Sequence, residues 1–306
     1  MRQFIYAFML LLLLSCAQSD KPAKDLSGRT INVVATTGMI TDAVKIIGGE
    51  RVEVQGLMGP GVDPHLYKAS EGDVRRMAGA DIIFYNGLHL EGKMTEVFEQ
   101  MSKRIRTTAV AEGLPDSLYL TPPEFAGAHD PHLWFDVALW MRVVENVRDA
   151  FIAMDPDSSH IYASNTTAYL QTLKELDNYV KQRCAELLPE KRILITAHDA
   201  FNYFGNAYGF EVRGLQGIST TAETGTADVK QLTDFILDRQ VKAIFVETSV
   251  SPRYIEALQA AVRARDFNVK IGGNLYSDAL GSTDSKAGTY TGMVRHNVDT
   301  IIGSLK

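Results

Sequence analysis

The sequence predicts an α/β protein of two lobes, each a mainly parallel sheet flanked by helices, joined by one long backbone helix. Three observations carry that expectation. Short β-branched runs alternate with longer helix-compatible stretches along most of the chain, the order that parallel sheets with crossover helices produce. One segment, 156–188, holds no Gly, and no Pro after its first residue, over a length that globular helices seldom reach. The chain has 306 residues, and single cores stop growing near roughly 250–300 residues.

The N-terminus carries one basic residue, Arg2, then the apolar run 4–14, then Ser15 and Cys16. That run is too short to span a bilayer, which takes about 20 residues, and reads as the apolar region of a signal peptide. Leu13-Leu14-Ser15-Cys16 resembles a bacterial lipobox, in which the cysteine is lipidated and becomes the first residue. Residues 1–15 are therefore expected to be a signal peptide and 16–29 a polar tether, anchored to a bacterial membrane through lipid on Cys16. The alternative is an ordinary secretory signal cleaved near Ala17.

The first lobe is expected over 30–154, with strands at 31–35, 52–57, 81–85 and 106–108. Helices are expected at 38–49, 70–79, 92–103 and 137–153. Asp155-Pro156 opens the long helix, since Pro is tolerated in a first helical turn, and Pro189 ends it. About 31 helical residues give a rod of roughly 46 Å, and the linking element is placed at 155–189. The second lobe follows over 190–306, with strands at 193–196, 212–215, 243–246 and 269–272. Its helices are placed at 226–240, 252–265 and 287–304.

Composition narrows the partners. A hydrophobic content of 45% with 22% charged residues is that of a globular protein. A net charge of −6 argues against nucleic acid, which needs a concentrated basic face. The two cysteines are Cys16 and Cys184. Cys184 keeps step with Leu173, Leu176, Val180 and Leu187 on one helical stripe, so it is read as a small buried hydrophobe and not a ligand.

The chemistry begins with a repeated pentapeptide. DPHLY occupies 63–67 and DPHLW occupies 130–134, with nothing around the two copies aligning. His65 follows a predicted strand in the loop MGPGVDPHLY; His132 lies in TPPEFAGAHDPHLW, just before a helix. His198 ends the strand ILITAH, and Asp278 sits in NLYSDALG shortly after another. Open α/β sheets bind ligands at the carboxyl ends of their strands. The first two residues belong to one lobe and the last two to the other, so three imidazoles and a carboxylate can meet across the cleft. That donor set suits Zn2+ as a closed tetrahedron, and a bidentate aspartate would make five donors, which Mn2+ or Fe2+ accepts more readily. Pro pushes the preceding Asp into extended backbone, holding each histidine on a stiff loop, and Asp63 or Asp130 is placed to accept a supporting hydrogen bond.

At these residues the chain resembles the solute-binding proteins of zinc and manganese ABC transporters, over about residues 30–305. The matching stretches are GVDPHLY, YNGLHLE (85–91), DPHLWFD, the long helix, TAHDAFNYF (196–204), IFVETSVSP (244–252) and LYSDALG. The resemblance implies that His65, His132, His198 and Asp278 are the metal ligands. It also implies a monomer that delivers its ion to ABC permease subunits in the membrane. Zinc-dedicated relatives often carry a long His- and acid-rich loop before the second ligand, whereas here 119–130 supplies only Glu124, His129 and Asp130. Manganese-dedicated relatives usually have Glu at the third ligand position, where this chain has His198. The missing loop leaves both metals open, and the histidine favours zinc.

The remaining candidates have plainer readings. His89, His160 and His296 are taken as structural, His129 as structural with an auxiliary ligand as the alternative, and Glu247 as a buried carboxylate with a supporting role at the cleft as the alternative. Met39 and Tyr203 are read as packing. A competing function, a metal-dependent hydrolase of the cell envelope, needs an open water position and a general base. No H-E-x-x-H, G-x-S-x-G or phosphate-binding loop is present. A haem, cobalamin or siderophore carrier would bind a large ligand without a four-residue cage. An adhesive role finds no support in the residues.

Overall fold

The computed structural model describes residues 26 and 28–306, apart from 124–126 and 223. The expected signal peptide, Cys16, nearly all of the tether and Glu124 lie outside the described residues. Among the described residues no helix is long and apolar enough to cross a membrane.

The first sheet is parallel, with strand order β2-β1-β3-β4. These strands are β1 (Ile31–Ala35), β2 (Val52–Gly56), β3 (Ile82–Tyr85) and β4 (Arg106–Ala109). The inner strands β1 and β3 are the most apolar, because helices cover both faces of a parallel sheet; Ile31, Val33, Val34, Ile82, Ile83 and Phe84 are all buried. Helix α1 (Gly38–Gly48) crosses from β1 to β2, and α2 (Glu71–Ala78) and α3 (Thr95–Ser102) make the next two crossovers. Ser70 starts α2 with a reciprocal cap: its hydroxyl accepts the Asp73 N–H and the Asp73 carboxylate accepts the Ser70 N–H. Asp136 caps α4 (Val137–Met154) by accepting from Ala138 N and Leu139 N.

The linking helix is shorter than its pattern suggests. Pro156–Ser158 form a 3₁₀ turn, and the α-helix proper, α5, runs Ser159–Cys184. Its 26 residues make a rod of about 39 Å. After the stripe ending at Cys184 and Leu187 the chain reaches Leu188, which is exposed, so burial no longer stabilises a further turn.

The second lobe contains β5 (Ile193–His198), β6 (Glu211–Gln216), β7 (Ala243–Glu247) and β8 (Lys270–Leu275). The pairing is parallel, as expected: among the described residues β5 pairs with β6 and β7 with β8, and β5 lies beside β7. At the end of β5 the His198 N–H goes to the Glu247 side chain instead of to a backbone carbonyl. Helices α7 (Thr226–Arg239), α8 (Arg253–Arg263) and α9 (Tyr290–Leu305) sit close to their expected places. The short α6 (Asn202–Tyr208), unforeseen from the sequence, follows β5.

One apolar core runs through both lobes, from Ile31 and Val44 through Trp134, Trp140 and Leu173 to Tyr290 and Leu305. Polar contacts reinforce it. The Trp134 indole donates to Ser277 O at 2.9 Å, the Tyr290 hydroxyl to Trp134 O at 2.8 Å, and the Tyr290 N–H to the Asp42 carboxylate at 2.9 Å. Gly38, at the start of α1, faces Leu280 so closely that an added Cβ would stand 3.0 Å from its Cγ. The lobes are packed together, not merely tethered.

Candidate metal centre

His65 sits in the loop after β2, where the Asp63 carboxylate accepts the His65 N–H at 2.9 Å. His132 sits just before a 3₁₀ turn, Leu133–Phe135, that leads into α4. Asp130 accepts both the His132 N–H, at 2.9 Å, and its ring Nδ1, at 2.8 Å. The two Asp-Pro-His segments thus make the same backbone turn. Only the second also holds its imidazole, so the ring contact expected of the motif forms at Asp130 and not at Asp63.

His198 ends β5, with its N–H on Glu247 Oε1 at 2.8 Å and its ring Nδ1 on Glu247 Oε2. Glu247, at the end of β7, is buried and orients the imidazole from behind. Asp278 follows β8, next to the Ser277 carbonyl that receives the Trp134 indole. All four side chains are 3% exposed or less.

These residues converge from both lobes, with one donor atom of each lying within 4.8 Å of the others. His65 Nε2 and His132 Nε2 are 3.3 Å apart. Asp278 Oδ1 is 3.4 Å from His132 Nε2, while Oδ2 is 3.2 Å from His198 Nε2 and 4.0 Å from His65 Nε2. For a tetrahedron with bonds of about 2.0–2.1 Å the donor–donor edge is roughly 3.3 Å, which the 3.3, 3.4 and 3.2 Å separations match and the 4.0 Å from His65 to Asp278 exceeds. His198 Nε2 and both Asp278 oxygens are buried without a hydrogen-bond partner. Buried polar atoms without partners are costly, and a shared cation would satisfy all three.

The electrostatics differ sharply among the four residues. Burial pushes the His65 imidazole down to about 3, against the pull of the Asp278 charge. Burial also opposes charging His132, but Asp130 and then Asp278 outweigh it and hold that ring up at about 9. His198 is raised as well, Glu247 and Asp278 overcoming its burial, and Asp278 is held well below the usual carboxylate range despite burial, chiefly by His198 and His132.

Other residues singled out in the sequence stay outside this cluster. His129 stacks on Tyr119 with centroids 4.5 Å apart and bonds to the Thr121 hydroxyl, and it is not among the clustered donors. His89 and His160 are exposed, and His296 bonds to Asn274 O. Cys184 is buried, its thiol pushed up to about 12 by burial. Met39 is packing. Tyr203 does more: its hydroxyl donates to Asp130 O at 3.0 Å and accepts from Leu120 N. Sequence reasoning passed over Asn202, which donates to Asp130 Oδ2 at 3.1 Å, and Thr220, which donates to Asp63 Oδ2 at 2.6 Å. A lone Asn or Thr in a loop carries no local signal of such a role.

Two packed α/β lobes that bring four buried donors to one point define a metal-binding protein of the helix-linked, two-lobed kind. The chain belongs to the family described as zinc-uptake complex component A, periplasmic, which it matches over residues 33–303. Among relatives, the zinc-binding protein TroA of Treponema pallidum is 49% identical over 273 residues, covering 89% of this chain and 88% of that protein. The manganese-binding lipoprotein MntA of Bacillus subtilis is 45% identical over 276 residues, covering 90% of each. The solved structure of the periplasmic zinc-binding protein TroA from Treponema pallidum superposes with a TM-score of 0.88 at 48% identity, over 90% of this chain and 99% of that one. A manganese-bound periplasmic metal-binding protein from Candidatus Liberibacter asiaticus superposes with a TM-score of 0.80 at 25% identity, over 90% of this chain and all of that one. Family membership makes this chain the metal-binding component of an ABC transporter and leaves the hydrolase reading without support.

Proposed function

We propose that the protein captures a divalent transition metal outside the cytoplasm, with His65, His132, His198 and Asp278 as its ligands, and delivers it to ABC permease subunits in the membrane. The observation that carries this reading is the convergence of three imidazoles and one carboxylate, three of whose polar atoms are buried without partners. The ion is cargo: four protein donors surround it and no position is left to activate a water, which separates a carrier from a zinc catalyst. Zinc is the preferred cargo, because imidazole is a borderline-soft donor and zinc outranks manganese in the divalent order. Manganese is the second reading. The two Asp278 oxygens face different histidines, so a bidentate carboxylate would make five donors, and relatives are named for each metal.

Lipid on Cys16 would hold the protein, as a monomer, at the membrane surface beside its permease, with residues 1–15 removed. The division into lobes at 30–154 and 190–306, linked through 155–189, follows the distribution of ligands: two from each side. The test is elemental analysis of protein purified without chelators, followed by zinc and manganese competition on the parent and on His198→Ala. The expected result is one tightly held ion per chain, zinc displacing manganese, and severe weakening in His198→Ala with none in His160→Ala. Equal losses from the two substitutions would sink the ligand assignment.

A further inference from the structure

The repeated Asp-Pro-His segment does something that neither copy shows alone. Each aspartate divides its two oxygens between its own histidine and the opposite lobe. Asp63 Oδ1 accepts the His65 N–H at 2.9 Å, and Oδ2 accepts the hydroxyl of Thr220, in the loop after β6, at 2.6 Å. Asp130 Oδ1 accepts the His132 N–H and ring Nδ1, and Oδ2 accepts the side-chain amide of Asn202, at the start of α6, at 3.1 Å. Both ligand histidines of the first lobe are thus set by a carboxylate whose other oxygen is held by the second lobe.

We propose that Thr220 and Asn202 are positioning residues that couple lobe closure to the hold on the metal; this rests on the ligand assignment above. With the lobes together, each aspartate is pinned at both oxygens and each histidine loop is fixed in its ligating pose. A small rocking of the second lobe lengthens the bonds from Thr220 and Asn202, lets the aspartates rotate, and loosens His65 and His132 together. Release then needs no separate trigger at the ligands, because the same displacement that opens the cleft relaxes half of the cage. The repeat answers a mechanical need: each of the two first-lobe ligands requires its own strut across the cleft.

The test is zinc dissociation followed by stopped flow against excess chelator. It compares the parent, Thr220→Val, Thr220→Ser, Asn202→Ala and the Thr220→Val/Asn202→Ala pair, with His198→Ala as a control. Losing one net hydrogen bond from the closed state should speed release roughly three- to tenfold in each single variant. The pair should be faster still, and Thr220→Ser, which keeps the hydroxyl, should release zinc as slowly as the parent. A merely structural role would lower the melting temperature of stripped and zinc-loaded protein alike and leave the dissociation rate where it was. Unchanged rates in Thr220→Val and Asn202→Ala, or a Thr220→Ser variant as fast as Thr220→Val, would overturn the coupling while leaving the ligands standing. A His198→Ala variant that holds zinc like the parent would instead overturn the metal centre itself.

Discussion

The Nε2 atoms of His65 and His132 stand 3.3 Å apart, and their surroundings drive the two rings in opposite directions. His132, held up to about 9, carries a proton at neutral pH that an ion bound there would displace, whereas His65 is already neutral. Metal binding should therefore release protons near neutrality, and zinc affinity should rise with pH until about 9. Calorimetry in buffers of different ionisation heat reads this directly, and a heat independent of the buffer would contradict it. Stability of metal-stripped protein follows the same groups. The His132 contribution is whole below the unfolded imidazole value of ~6.5 and is lost as pH rises through about 9. His65 acts oppositely: below ~6.5 the unfolded chain takes up a proton that the folded ring refuses until about 3, so stability falls as pH falls across that window. The denaturant midpoint in chelator should decline on both sides of about pH 6.5. At the same scale, Glu247→Gln removes the charged acceptor behind His198 and should weaken zinc binding about 10–100-fold. An affinity within error of the parent's would show that Glu247 is not what orients the ring.

At the scale of elements, α5 is held by its stripe and not by its composition. Leu173, Leu176, Val180 and Cys184 are buried, while residues such as Gln171 and Lys174 on other faces are exposed or partly so. Leu173→Ala should cost about 2–5 kcal/mol of unfolding free energy, the range for emptying a fully buried leucine site. A loss well under that range in urea titration would mean that the helix is held by its ends. One of those ends is well anchored. Asp155 accepts from Arg51 Nη2 at 2.8 Å and from the Tyr162 hydroxyl at 2.7 Å, tying the entry of α5 to the first lobe. The elements most legible in the sequence were α4 and α7, whose ends fall within one residue of expectation. The helix α6, with four of its seven residues buried, was invisible because so short a segment leaves no polar face to set a period.

For the molecule as a whole, the shared core limits motion. Opening widely would break the contact of Trp134 with Ser277, that of Tyr290 with Asp42, and the packing of Gly38 against Leu280. It would also bend a continuous helix across its own hydrogen bonds. Exchange of metal should proceed by small rocking of the lobes and movement of the loops that bear the candidate ligands, those of His65 and His132 among them. Scattering profiles of stripped and loaded protein should nearly coincide, and a difference corresponding to tens of degrees of lobe rotation would defeat this. Metal should also stabilise the entire fold, because the donors come together only when both lobes are in place. At concentrations ~100 times the dissociation constant the gain is about 2.7 kcal/mol. A melting temperature indifferent to both zinc and manganese would contradict it.

The sequence by itself determined the α/β class, the order of the elements, the long linking helix and the four candidate ligands. Each of these leaves a local trace: a period, a proline, or a histidine at a strand end beside a repeated motif. Tertiary structure alone decided how those parts meet. It joined the two lobes through one core and gave the His198 N–H to the Glu247 side chain. It assigned Asp130 but not Asp63 to an imidazole, and sent the free oxygen of each to Asn202 and Thr220. The contacts of Glu247, Asn202 and Thr220 join residues 49 to 157 positions apart. No local pattern encodes them, because a hydrogen bond across the cleft depends on where two lobes pack and not on which residues are neighbours in the chain.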